Sequence, residues 1–114
     1  MVENTAVAFG LTPSDLAVIQ QTIAQFSEVK KAFIFGSRAK GTYERGSDVD
    51  IALMGNNLEK IVRSIHYQLE EETRLPYFFD VLDYSTLTNV DLKAHIDRVG
   101  KLIFERIPSV LEKV

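Results

Sequence analysis

Leu16, Ile19, Ile23 and Phe26 recur at helical spacing just after Thr12-Pro13. Threonine is a favoured N-cap and proline a favoured first helical residue, so this pattern predicts an amphipathic helix. The short apolar run Ala32-Phe33-Ile34-Phe35, stopped by Gly36, predicts a buried strand. Ser37 to Ser47 is loop-like, with room for one helical turn. Asp48 to Met54 predicts a second strand, closed by Gly55-Asn56-Asn57. Leu58, Ile61, Val62, Ile65 and Leu69 then mark a long helix. Glu70, Glu71 and Glu72 fall near its end, where negative charge opposes the helix dipole, and Leu75-Pro76 stops it. Tyr77 to Leu82 predicts a third strand, and a shorter helix turns Leu92 and Ile96 inward before Gly100. Lys101 to Glu105 predicts a fourth strand, and Pro108 opens a last short helix with Val110, Leu111 and Val114. The expected fold class is α/β: a mixed sheet of about four strands, mostly antiparallel with some parallel pairing, flanked by helices.

The chain of 114 residues is long enough for one core and short for two, and it shows no repeat or linker, so one domain over residues 1–114 is expected. A net charge of -3 argues against a broadly basic surface, and nucleic acid is not an expected partner. With no cysteine, disulfides and thiolate metal sites are excluded. No stretch approaches the roughly 20 apolar residues of a membrane span, and Met1 to Gly10 lacks the features of a signal peptide. A cytoplasmic location is the resulting expectation.

In Asp48-Val49-Asp50-Ile51-Ala52-Leu53, both aspartates project from one side of a strand and Val49, Ile51 and Leu53 from the other. Two neighbouring like charges repel, so they need solvent or a compensating cation. Hard oxygen donors suit magnesium or manganese. Taken alone, the pair fits an exposed sheet edge equally well. Asp80 changes the balance, because it lies within Tyr77-Phe78-Phe79-Asp80-Val81-Leu82. If that strand lies beside the one carrying Asp48 and Asp50, three carboxylates converge and can serve phosphoryl or nucleotidyl transfer. Asp83, the competing third acid, sits beside Tyr84 and Ser85, where a turn or capping role is expected.

Gly36-Ser37-Arg38-Ala39-Lys40-Gly41 follows directly on the first strand. Glycine lets a ligand approach the backbone, serine offers a hydroxyl, successive amides receive phosphate oxygens, and Arg38 and Lys40 add positive charge. The segment has neither the Walker spacing nor the dinucleotide fingerprint, which excludes a P-loop ATPase. His66 and His95 have no second histidine at metal-binding spacing, and surface or packing roles are expected for both. Tyr43 is a candidate for stacking on a base, Arg45 for approaching phosphate or for a surface pair, and Phe33, Phe35, Tyr77, Phe78 and Phe79 are expected mostly in the core.

Gly36-Ser37, ten intervening residues and Asp48-Val49-Asp50, with apolar strands on both sides, resembles the polymerase-beta-like nucleotidyltransferase superfamily. The likeness is to its minimal nucleotidyltransferases and spans the chain from Ala32 to about Phe104. The resemblance implies a nucleoside triphosphate, ATP or another, held at Gly36, Ser37, Arg38 and Lys40. It also implies that Asp48, Asp50 and Asp80 are catalytic and hold Mg2+ or Mn2+. Lys40 stands where many relatives have arginine, which keeps the charge but loses the bidentate fork. Minimal members resemble the antitoxin half of a two-gene pair, whose partner is a small helical HEPN-type protein encoded next door. The implied function is transfer of a nucleoside monophosphate, AMP from ATP in the leading case, to a hydroxyl of that partner. The alternative is a catalytically weak, nucleotide-binding antitoxin acting by complex formation, and self-association stays open.

Overall fold

Thr12 accepts the Asp15 amide through its side-chain oxygen at 3.1 Å and starts α1, Pro13–Ala24, as the cap and proline predict. The computed structural model describes residues 8–107, so the helix expected from Pro108 lies outside the described residues. The remaining elements are β1 (Val29–Phe35), α2 (Gly36–Lys40), β2 (Val49–Gly55), α3 (Glu59–Tyr67), β3 (Phe79–Asp83), α4 (Val90–Val99) and β4 (Lys101–Glu105). A π-helical turn, Gln68–Glu72, follows α3, and a 3-10 turn, Tyr84–Thr86, follows β3. No described helix is long and apolar enough to cross a membrane.

The four strands form one mixed sheet in the order β3-β2-β1-β4. β1 runs antiparallel to β2 and β4, while β2 and β3 are parallel and joined through α3, the crossover that parallel neighbours require. Each strand has two faces, and each face is covered differently. Ile34, Val49, Ile51 and Leu53 pack with Ile19 and Ile23 of α1, Ile65 of α3 and Leu69 in one core cluster. Phe35 and Ala52 turn the other way and pack with Ile96 of α4. Alternation along β2 therefore delivers Asp50 to the α4 side and its apolar neighbours to the larger core.

Three departures from the sequence expectations have local causes. β3 begins at Phe79, not Tyr77, because the Tyr77 hydroxyl donates to Asp15 Oδ2 at 2.7 Å and ties the segment before the strand to α1. Phe78, expected in the core, is 72% exposed, since it precedes the first paired residue of an edge strand. Glu70 does not simply oppose the end of the helix. The π-helical turn brings its Oε2 to the Phe79 amide at 2.7 Å and to His66 Nε2 at 3.1 Å, so its charge is spent on fixing the start of β3.

Candidate active site

Asp50 and Asp80 face one another across the parallel β2–β3 pair, at the spacing of neighbouring strands, about 4.8 Å. Asp48 lies two residues before Asp50, immediately ahead of β2, and is exposed like Asp80. On the other side Asp50 pairs with Phe35, the last residue of β1, and its carboxylate lies directly under Gly36. The glycine-serine turn and the three acids thus meet at one end of the sheet. Gly36 has a φ of 73°, and a Cβ there would collide with Asp50 Oδ2. Gly36→Ala is therefore expected to destabilise the domain by at least about 1 kcal/mol from backbone strain alone, and to displace Asp50. Thermal melting tests this, and an unchanged midpoint would show that Gly36 is not held left-handed over Asp50.

The Asp50 carboxyl is raised from 3.8 to about 6: first by burial, then by the charges of Asp80 and Asp48, with Arg38 opposing. Both neighbouring acids are sensed at Asp50, which places the three in one electrostatic cluster. Among the described residues, no three acids or histidines stand close enough to close on a single ion as they are. The donor set nevertheless fits a divalent cation. It consists of hard carboxylate oxygens, burial and then the charges of Asp80 and Asp48 push the Asp50 carboxyl up, and a cation would offset both.

Arg38, expected to add free charge against a triphosphate, is used differently. It is 3% exposed. Its Nε and one terminal nitrogen donate to the Ser47 carbonyl at 3.1 and 2.8 Å, and the other terminal nitrogen donates to Phe9 O at 2.9 Å. The guanidinium also lies 5.4 Å from the centre of the Tyr43 ring and 5.0 Å from that of Tyr77. Its planar fork anchors the residue before Asp48, so it positions the chain that leads into the acid pair. Tyr43, a candidate for base stacking, spends a face on this clamp. Ser37 is half-buried in the first turn of α2, whose leading amides lack helical acceptors, and Lys40 stands exposed at its end.

Asp83 behaves as its neighbours imply, accepting from the Ser85 amide at 3.0 Å and the Ser85 hydroxyl at 2.8 Å. His66 is a surface residue bonded to Glu70. His95 is placed where its sequence gave no indication: its Nε2 accepts the Gly36 amide at 3.2 Å. The two residues lie 59 positions apart, and the packing of α4 against the sheet and α2 joins them. Glu70 was likewise not signalled, because its role depends on the π-helical turn.

Comparison with known proteins bears on the family and the fold. The sequence profile of the family described as Polymerase beta, Nucleotidyltransferase matches residues 17–108. The chain is 30% identical over 97 residues to a "probable protein adenylyltransferase MntA" of Haemophilus influenzae, with 84% of each chain covered. Its fold is similar to a crystal structure of a toxin–antitoxin with AMP-PNP, at a TM-score of 0.63 and 22% identity over 82% of this chain and 73% of the other. A structure of a tri-AMPylated Shewanella oneidensis HEPN toxin in complex with MNT antitoxin also gives a TM-score of 0.63, at 19% identity over 82% of this chain and 71% of the other.

Proposed function

Because this chain belongs to the polymerase beta nucleotidyltransferase family, we propose that it transfers a nucleoside monophosphate, AMP from ATP in the leading case, to a hydroxyl of a small helical HEPN-type partner. The observation that carries this reading is the pairing of Asp50 with Asp80, with Asp48 beside them, under the Gly36-Ser37 turn. The protein adenylyltransferase name of the relative and the AMPylated toxin among the similar folds support the choice of AMP and of acceptor. Within the same proposal, one domain spans residues 1–114, the protein is cytoplasmic, and the partner is encoded by an adjacent gene.

In this mechanism the turn that opens at Gly36 holds the triphosphate through Ser37, the amides that follow and Lys40, and Arg38 keeps Asp48 in place through the Ser47 carbonyl. The partner's hydroxyl oxygen attacks the α-phosphorus, a new phosphorus–oxygen bond forms, and the bond to pyrophosphate breaks. Asp80, exposed on the open side of the acid cluster, accepts the proton from that hydroxyl. Mg2+ or Mn2+, when bound by Asp48, Asp50 and Asp80, supplies neutralisation of the phosphate charge. Asp50, the most buried of the three acids, orients the cluster against the turn.

A second reading, an antitoxin that acts by complex formation with little turnover, is favoured by Phe78, 72% exposed two residues from Asp80. A large apolar side chain so placed suits a protein contact. To distinguish the two, the purified chain is incubated with each labelled nucleoside triphosphate, magnesium and the product of the adjacent gene. Label on the partner from ATP, absent with Asp48→Ala, is the expected result. A stable complex that acquires no label would establish the second reading.

A further inference from the structure

Glycine reaches positive φ about as readily as negative φ, so its identity permits the Gly36 conformation without selecting it. Something else must choose. The single side chain bonded to the Gly36 backbone among the described residues is His95, whose Nε2 accepts the amide at 3.2 Å. We infer that His95 is the positioning residue of the triphosphate-binding turn, holding the Phe35–Gly36 peptide so that Gly36 stays left-handed over Asp50 and Ser37 faces the site. This inference rests on the reading of Gly36 to Lys40 as the turn that holds a triphosphate.

The placement of His95 is set by its helix and by the packing around it. It sits within α4, whose start is capped by the Asn89 side chain accepting the Leu92 amide at 3.0 Å. The next residue, Ile96, is 4% exposed and packs on Phe35 and Ala52. The imidazole also meets the Phe35 ring edge-on, with centroids 6.2 Å apart and planes at 78°. One ring thus touches both residues of the peptide it orients. To accept from an amide, Nε2 must be unprotonated, so the neutral ring carries its proton on Nδ1. The geometry also removes the Gly36 amide from the donors open to phosphate. Binding then falls to the amides and hydroxyl beyond it, whose directions depend on how that first peptide is set.

His95→Phe keeps a ring against Phe35 and loses the acceptor, whereas His95→Gln returns an acceptor oxygen at similar reach. The expected result for His95→Phe is a KM for the nucleoside triphosphate about tenfold higher, with kcat within about twofold, because a loosened turn costs binding before chemistry. His95→Gln should recover most of that loss. Nitrogen-15 NMR provides a readout independent of turnover. In the wild-type protein, His95 Nε2 should be unprotonated and the Gly36 amide proton shifted downfield, and His95→Phe should abolish that shift.

A protonated Nε2, a Gly36 amide unmoved by His95→Phe, or a triphosphate affinity unchanged within twofold would overturn the inference. A Gln variant as impaired as the Phe variant would also do so. If the wild-type protein transfers no nucleotide at all, the proposed function fails on its own. The NMR signature and the affinity for a non-hydrolysable ATP analogue still decide the role of His95, and the Gln and wild-type arms stand if the Phe variant does not fold.

Discussion

Replacing Asp50 with asparagine is expected to reduce nucleotidyl transfer roughly a thousandfold or more, a loss of about 4 kcal/mol of transition-state stabilisation, while raising the melting temperature of the metal-free protein. The two effects have one source. The Asp50 carboxyl is held near 6 by burial and by Asp80 and Asp48, against 3.8 when unperturbed. Between those values the folded protein holds a proton that the unfolded chain has released. Stability therefore falls as pH rises through that window, and the full penalty is present above it. Asparagine carries no such penalty. Allowing for solvent screening at a half-exposed group, the gain at pH 8 is on the order of 1 kcal/mol. For a domain of this size that is a few degrees. The variant should melt above wild type at pH 8 without metal, and the two curves should approach each other near pH 4. A variant that melts lower at pH 8 would mean that Asp50 is a structural acid.

Arg38→Met is expected to show the largest loss of stability. It removes a buried guanidinium that bonds the Ser47 and Phe9 carbonyls and lies over the Tyr43 and Tyr77 rings. Hydrogen bonds from a charged donor contribute more than neutral ones, and the orphaned carbonyls compound the loss, so about 3 kcal/mol is the expected cost. That corresponds to a melting temperature roughly 10 to 20 °C lower. Arg38→Lys should recover only part of this, since a single ammonium cannot reproduce the planar fork. A methionine variant that melts within about 2 °C of wild type would show that the clamp is dispensable.

The parts of the fold legible in the sequence are those written in local chemistry. Thr12-Pro13 starts α1, β4 has the predicted bounds, and the mixed four-stranded sheet is present. The Asp83 cap follows from its neighbours. The Asp50–Asp80 pairing, an inference from sequence, depends on β3 lying next to β2, and the register puts the two directly opposite. The rest depends on long-range contacts that no spacing announces. Arg38 looks like a phosphate ligand in a glycine-rich turn. Only the return of the chain at Ser47 and at Phe9 shows that three of its five N–H donors are already taken. His95 meets Gly36 across 59 positions because α4 folds back over the sheet end. Phe78 reads as core from its aromatic neighbours, yet the strand begins one residue later and leaves it in solvent.

The central claim is that Asp48, Asp50 and Asp80, with the turn at Gly36 and Ser37, form one site for a nucleoside triphosphate and a divalent cation. Calorimetric titration with a non-hydrolysable ATP analogue, in Mg2+ and then in EDTA, tests it most directly. The predicted result is saturable binding in Mg2+ that weakens at least tenfold in EDTA and in both Asp48→Ala and Asp80→Asn. Binding that is equally tight in EDTA, or untouched by either substitution, would contradict it.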